Sequence, residues 1–126
     1  MYINRLKEMF TEMVVKKDVS AIPHYYHQEF LLYTNGEVID YDNFYQSHQR
    51  YYATDISYEI SYDEEAWLEQ EEKLAGRVWI TTSRPSELAQ KIEVILIAHF
   101  KQNKIYRLWE LTYPDWSQLS AFKEGE

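Results

Sequence analysis

At 126 residues and 45% hydrophobic content, the chain is long enough for one packed core and too short for two. A formal net charge of −8 argues against nucleic acid as a partner, because phosphate-backbone binding needs clustered Lys and Arg. The absence of cysteine excludes disulfides and thiolate metal sites, and it suits a reducing cytoplasm.

Ile3, Leu6, Phe10, Met13 and Val14 recur at helical spacing and predict an amphipathic helix over about residues 2–17. The same segment has no continuous apolar run of signal-peptide length. Asp18 or Ser20 caps a second, shorter helix through His27, with Pro23 in its first turn. The apolar stretch from Phe30 to Thr34 breaks at Asn35-Gly36, which predicts a turn between two short strands. Asp40 or Asp42 then caps a third helix in which Phe44, His48, Tyr51 and Tyr52 share a face.

Beyond Thr54 the period changes to two. Ile56, Tyr58, Ile60 and Tyr62 alternate with polar residues and predict a half-buried strand. The five Glu between Glu64 and Lys73 read as a solvated strand end and turn, with an acidic metal site as the alternative. Leu74 to Ser83 reads as another strand, interrupted at Arg84-Pro85-Ser86. Lys91 to Lys101 and Lys104 to Thr112 complete a hairpin, and its apolar run from Val94 to Phe100 is far too short for a membrane span. The expectation is a single α+β domain over 1–126. A curved antiparallel or mixed β-sheet wraps the three N-terminal helices into a cone with an interior.

A three-residue, bulged hairpin turn would put Val94, Leu96, Ala98 and Phe100 on one sheet face with Tyr106, Leu108, Glu110 and Thr112. The other face carries Ile95, Ile97, His99, Ile105, Arg107, Trp109 and Leu111. It is too apolar to be left in water, which predicts a homodimer through Ile95, Ile97, Trp109 and Leu111. Twelve Tyr and four Trp put polar tips into the buried surface, favouring a lined cavity or a wet interface over a dry aliphatic core. Within so apolar a hairpin, Glu110 is either a strand residue facing water or a charge held in a cavity.

In element order, and in the segments HYYHQEF, NGE, DNFYQSHQRYY and HFKQNKIYRLWEL, the chain resembles the SnoaL-like group of the nuclear-transport-factor-2-like superfamily. Asn103 stands where that family usually has a turn glycine, and Asn tolerates positive φ. The resemblance implies that the Glu110 face lines a pocket, and sheet-to-sheet homodimers are common in the superfamily. GRVWI resembles the Arg-x-Asp strand of the limonene epoxide hydrolase branch, where two acids and the intervening Arg position a water and protonate the epoxide oxygen. Arg77 and Glu110 match two of those three positions, and Trp79 stands at the third. The two enolisation carboxylates of ketosteroid isomerases would fall near Thr34 and at Ala98, so both are missing.

The candidate catalytic residues are therefore Glu110, Arg77 and His48. Glu110 is read as a proton-exchanging pocket acid, or else as an ion-pair partner of Arg77 or a water-facing residue. Arg77 is read as an oxyanion-stabilising group or as that structural partner, and His48 as a pocket base or a satisfied core histidine. Tyr33, Tyr52, Trp79, Ala98, Tyr106 and Leu108 are the candidate ligand contacts. His24 and His27 have ligand-like spacing without further ligands, so no metal is expected. No nucleophilic serine motif is present, and three Gly leave no phosphate loop.

The reading is a cytoplasmic protein binding a small, partly apolar organic molecule in an aromatic-lined cone. Any chemistry would be cofactor-free acid–base catalysis of isomerase, cyclase or hydratase type. The alternative is a non-catalytic ligand carrier or protein-interaction scaffold acting as a dimer.

Overall fold

The computed structural model describes residues 1–123. The N-terminal helix runs as α1 (Tyr2–Met9) and continues as a wider π-helical turn over Phe10–Val15. Its buried stripe is Leu6, Met9, Phe10 and Met13, the predicted periodicity with Met9 added. A carboxylate from the acidic stretch caps it: Glu69 accepts from the Tyr2 and Ile3 backbone N–H groups at 3.2 and 3.0 Å. That cap comes from β4 (Leu68–Gln70), a short strand on the Glu-rich segment.

The second helix is shorter than its sequence suggests. Asp18 accepts from the Ser20 N–H to start a 3₁₀ turn over Val19–Ala21, followed by α2 (Ile22–Tyr25). Strand β1 (Tyr26–Thr34) begins at once, so His27 lies on a strand. Asn35 and Gly36 both take positive φ, 48° and 89°, which is the twist a two-residue hairpin needs before β2 (Glu37–Asp40). The Asp40 side chain accepts from the Asn43 N–H and starts α3 (Tyr41–Tyr52).

The remaining strands are β3 (Ser57–Tyr62), β5 (Lys73–Ser83), β6 (Gln90–Lys101) and β7 (Lys104–Tyr113). The sheet order is β2-β1-β7-β6-β5-β3, with β4 paired to β5. Only β1–β7 is parallel among these pairs, so the sheet is mixed. It curves around the N-terminal helices, and the core fills the space between them. A 3₁₀ turn (Trp116–Gln118) and α4 (Ser120–Lys123) follow β7 and pack on α3 through Tyr51, Trp116 and Phe122.

The β6–β7 hairpin differs from expectation in one detail. Its loop is two residues, Gln102 and Asn103, both at positive φ, and the extra residue sits inside β7. His99 pairs with Arg107 and Phe100 with Ile105, leaving Tyr106 as the bulged residue. Ile105 therefore turns inward and is fully buried, where parity had put it outside. Tyr106 is displaced from the core and packs against His27, Lys101 and Arg107. No helix among the described residues is long and apolar enough to cross a membrane.

Candidate functional site

The concave sheet face and two helical segments border a cavity of about 140 Å³. The N-terminal helix contributes Leu6, Met9, Phe10 and Met13, and α3 contributes Phe44, His48, Tyr51 and Tyr52. Strands add Tyr26, Leu32, Tyr58, Ile80, Val94, Leu96 and Leu108, and Trp116 and Phe122 close the C-terminal side. Into this aromatic and aliphatic wall β7 places Glu110, the single carboxylate lining the cavity among the described residues.

Strand parity explains its position. Val94 faces Thr112, Leu96 faces Glu110 and Ala98 faces Leu108 across β6–β7, and the β6 members of these pairs are buried. Glu110 keeps some accessible surface and lines the apolar cavity. Loss of hydration pushes its carboxyl up from 4.5 to about 7, while a hydrogen bond from the Thr34 side chain pulls the other way. Thr34 is paired with Glu110 across the parallel β1–β7 ladder. Trp116 Nε1 in turn donates to Thr34 Oγ1 at 3.3 Å.

His48 faces the same cavity from α3. Its Nδ1 lies 2.8 Å from the Phe44 carbonyl oxygen, which can only accept, so the proton sits on Nδ1 and Nε2 keeps its lone pair. Burial lowers its pKa from 6.5 to about 4, so the ring is neutral at pH 7. Burial also pushes the phenols of Tyr26, Tyr52 and Tyr58 up, keeping them protonated hydroxyl donors. The cavity thus offers an acid poised near neutrality, a neutral imidazole and several hydroxyls on apolar walls.

The structure brings together Glu110, His48, Tyr52 and Leu108 of the expected site residues. Ala98 is fully buried on the same face but packs in the core away from the cavity lining. Arg77 is elsewhere. Inward positions on β5 are Leu74, Gly76, Val78, Ile80 and Thr82, so Arg77 and Trp79 fall on the opposite face. There Arg77 pairs with Asp63 at 2.6 Å and Glu93 at 2.9 Å and lies over the Trp79 ring, and the expected Arg77–Glu110 pair does not form. Tyr33 is outside too, stacked on Trp109 with ring centroids 5.5 Å apart, and Tyr106 is displaced by the bulge.

Sequence reasoning missed Thr34, Trp116 and Phe122 as parts of the site. The first was legible as an inward residue at the end of β1. Nothing in the linear pattern shows that the segment after Pro114 folds back over the cavity. Among the described residues no group of three or more His, Asp or Glu could hold a metal ion.

No protein-family model matches the chain, and no curated protein sequence matches it. Solved structures do. PrhC from Penicillium brasilianum superposes with a TM-score of 0.73 at 13% identity, covering 97% of this chain and 82% of PrhC. An LEH-like epoxide hydrolase from M. tuberculosis gives 0.71 at 10% identity, covering 96% and 89%. IdmH from Streptomyces antibioticus, a candidate polyketide cyclase, gives 0.68 at 9% identity, covering 87% and 90%. The chain therefore shares the α+β cone fold of these proteins, the fold expected from its resemblance to SnoaL-like proteins. At these identities the likeness is one of fold.

Proposed function

We propose that the cone binds a small, partly apolar organic molecule and exchanges a proton with it through Glu110, in acid–base chemistry of isomerase, cyclase or hydratase type. The observation that carries this reading is the position of Glu110: a carboxyl, raised to about 7, on the wall of an apolar cavity. A group poised near the working pH can both take and give a proton, which suits general acid–base catalysis. His48 Nε2 supplies a neutral acceptor, and the phenols supply donors for a developing oxyanion. Fold neighbours that include an epoxide hydrolase and a candidate cyclase support the class.

The cavity also bounds the ligand. About 140 Å³ is close to the ~150 Å³ of an engineered protein cavity that holds benzene, so the apolar part to be enclosed is about one ring. We further propose a homodimer through the outer sheet face, where Ile95, Ile97 and Leu111 are 47%, 46% and 68% exposed. A cysteine-free chain suits a reducing cytoplasm, where we place it.

The competing carrier reading draws on the absence of a second carboxylate from the cavity lining among the described residues. A panel of single-ring epoxides, enones and ketones, screened first by thermal shift and then for turnover, separates the two. For a turned-over hit, Glu110→Gln should lower kcat by about 10²–10⁴ while binding persists. Unchanged turnover in that variant would remove Glu110 from the chemistry.

A further inference from the structure

A buried hydroxyl has one proton to give and lone pairs to receive. Thr34 is 2% exposed, at the end of β1. Trp116 Nε1 can only donate, and it directs its hydrogen at Thr34 Oγ1 from 3.3 Å. That contact occupies an acceptor position and leaves the single hydroxyl proton for another partner. The partner is set by the sheet, since Thr34 stands beside Glu110 in the parallel ladder and its hydroxyl draws the carboxyl's titration down. Donation from the indole thus leaves the hydroxyl proton free to be given to the ionised carboxylate.

Trp116 is fixed independently of any ligand. Asn35 clasps Thr112, donating from Nδ2 to Thr112 Oγ1 at 2.7 Å and accepting from the Thr112 N–H at 2.9 Å. Thr112 Oγ1 accepts from the Trp116 backbone N–H at 3.4 Å, and Asp115 closes the next turn by accepting from Ser117. The Trp116 ring meets Tyr51 and Phe122 edge to face, at centroid distances of 6.1 and 5.6 Å. The same three rings line both the cavity and an outer groove, so Trp116 forms part of the wall between them.

We propose that Thr34, oriented by Trp116, is the positioning residue of Glu110: it holds one carboxyl oxygen against the sheet and leaves the other directed into the cavity. The proposal rests on the reading of Glu110 as the working acid. Trp116 acts at one remove, by keeping the Thr34 hydroxyl a donor toward the carboxyl. A geometry built this way needs no rearrangement when a ligand arrives, which is what a positioned acid requires.

The test needs no substrate. Side-chain carboxyl ¹³C titrations of the full chain labelled at Glu report the Glu110 midpoint, with its resonance assigned by its loss in Glu110→Gln. Thr34→Val removes the donor with little change of shape, and the midpoint should rise by about one pH unit. Thr34→Ser restores the hydroxyl and should return the midpoint to the wild-type value. Trp116→Phe keeps a ring and deletes only the indole donor, and should raise the midpoint by less than Thr34→Val does.

Equal midpoints in wild type and Thr34→Val would overturn the proposal, as would a Thr34→Ser midpoint displaced as far as that of Thr34→Val. If Thr34→Val does not fold, Trp116→Phe decides: a rise supports the relay, and an unchanged or lower midpoint contradicts it. A wild-type midpoint in the ordinary carboxylate range would instead defeat the reading of Glu110 itself, so the two failures are distinguishable.

Discussion

Burial disfavours the charged form of both Glu110 and His48, and the cost appears in stability with opposite dependence on pH. Burial raises Glu110 from 4.5 to about 7, so between those pH values the folded chain keeps a proton that the unfolded chain has released. Stability therefore falls as pH rises through that window, by on the order of 3 kcal/mol once it is crossed. Glu110→Gln removes this penalty. At pH 8 the variant should be more stable than wild type by on the order of 2–3 kcal/mol, and at pH 4 the two should nearly coincide. Urea unfolding at both pH values checks this, and a less stable variant at pH 8 would contradict it. His48 carries the opposite sign. Its folded pKa of about 4 lies below 6.5, so the unfolded chain binds the extra proton and stability is lost as pH falls through that interval. In wild type the two slopes oppose each other, whereas Glu110→Gln leaves the His48 slope without that opposition.

At the scale of elements, the account turns on which side of each strand faces inward. Period-two alternation sorted β6–β7 into two faces, since a one-residue slip would turn every side chain over, and the family resemblance marked the face of Glu110 and Leu108 as the inner one. The spacing of Phe44, His48, Tyr51 and Tyr52 on α3 was equally readable. Tyr106 was not, since a bulge inserts a residue that alternation cannot foresee. Arg77 was misplaced because a likeness in the segment GRVWI took precedence over the apolar parity of its own strand, in which Leu74, Val78 and Ile80 mark the core side. Thr34 and Trp116 meet across 82 residues of sequence, a separation no local pattern encodes.

Two element-scale predictions follow from these contacts. The Trp67 ring packs against Gly76 on β5, and a Cβ there would overlap the ring. Gly76→Ala should cost about 1–3 kcal/mol. In a Trp67→Ala background most of that cost should vanish, a coupling that a double-mutant cycle in urea measures directly. Glu69 caps the N-terminal helix through two backbone N–H groups. Glu69→Ala should therefore lower stability by about 1 kcal/mol, with earlier loss of hydrogen-exchange protection in α1 than elsewhere.

For the whole molecule, composition and periodicity were enough to anticipate the α+β cone, because helices with one apolar stripe and an antiparallel sheet have few ways to bury both surfaces. The outer sheet face is a separate question of assembly. Ile97→Glu puts a charge at the centre of that face on a residue whose side chain is already 46% exposed, so the monomer fold should tolerate it. Light scattering at micromolar concentration should give a dimer mass for wild type and a monomer mass for Ile97→Glu. A wild-type monomer would end the dimer proposal without touching the cavity.

The cavity is the product of the entire cone: helices, sheet and C-terminal segment each supply part of the wall that keeps water from one carboxyl. Whether that exclusion is achieved is read most directly from the pH at which Glu110 loses its proton in the intact wild-type chain. A ¹³C-detected midpoint near 7 is the result predicted here. A midpoint near 4.5, the value of a hydrated glutamate, would contradict the account of the site.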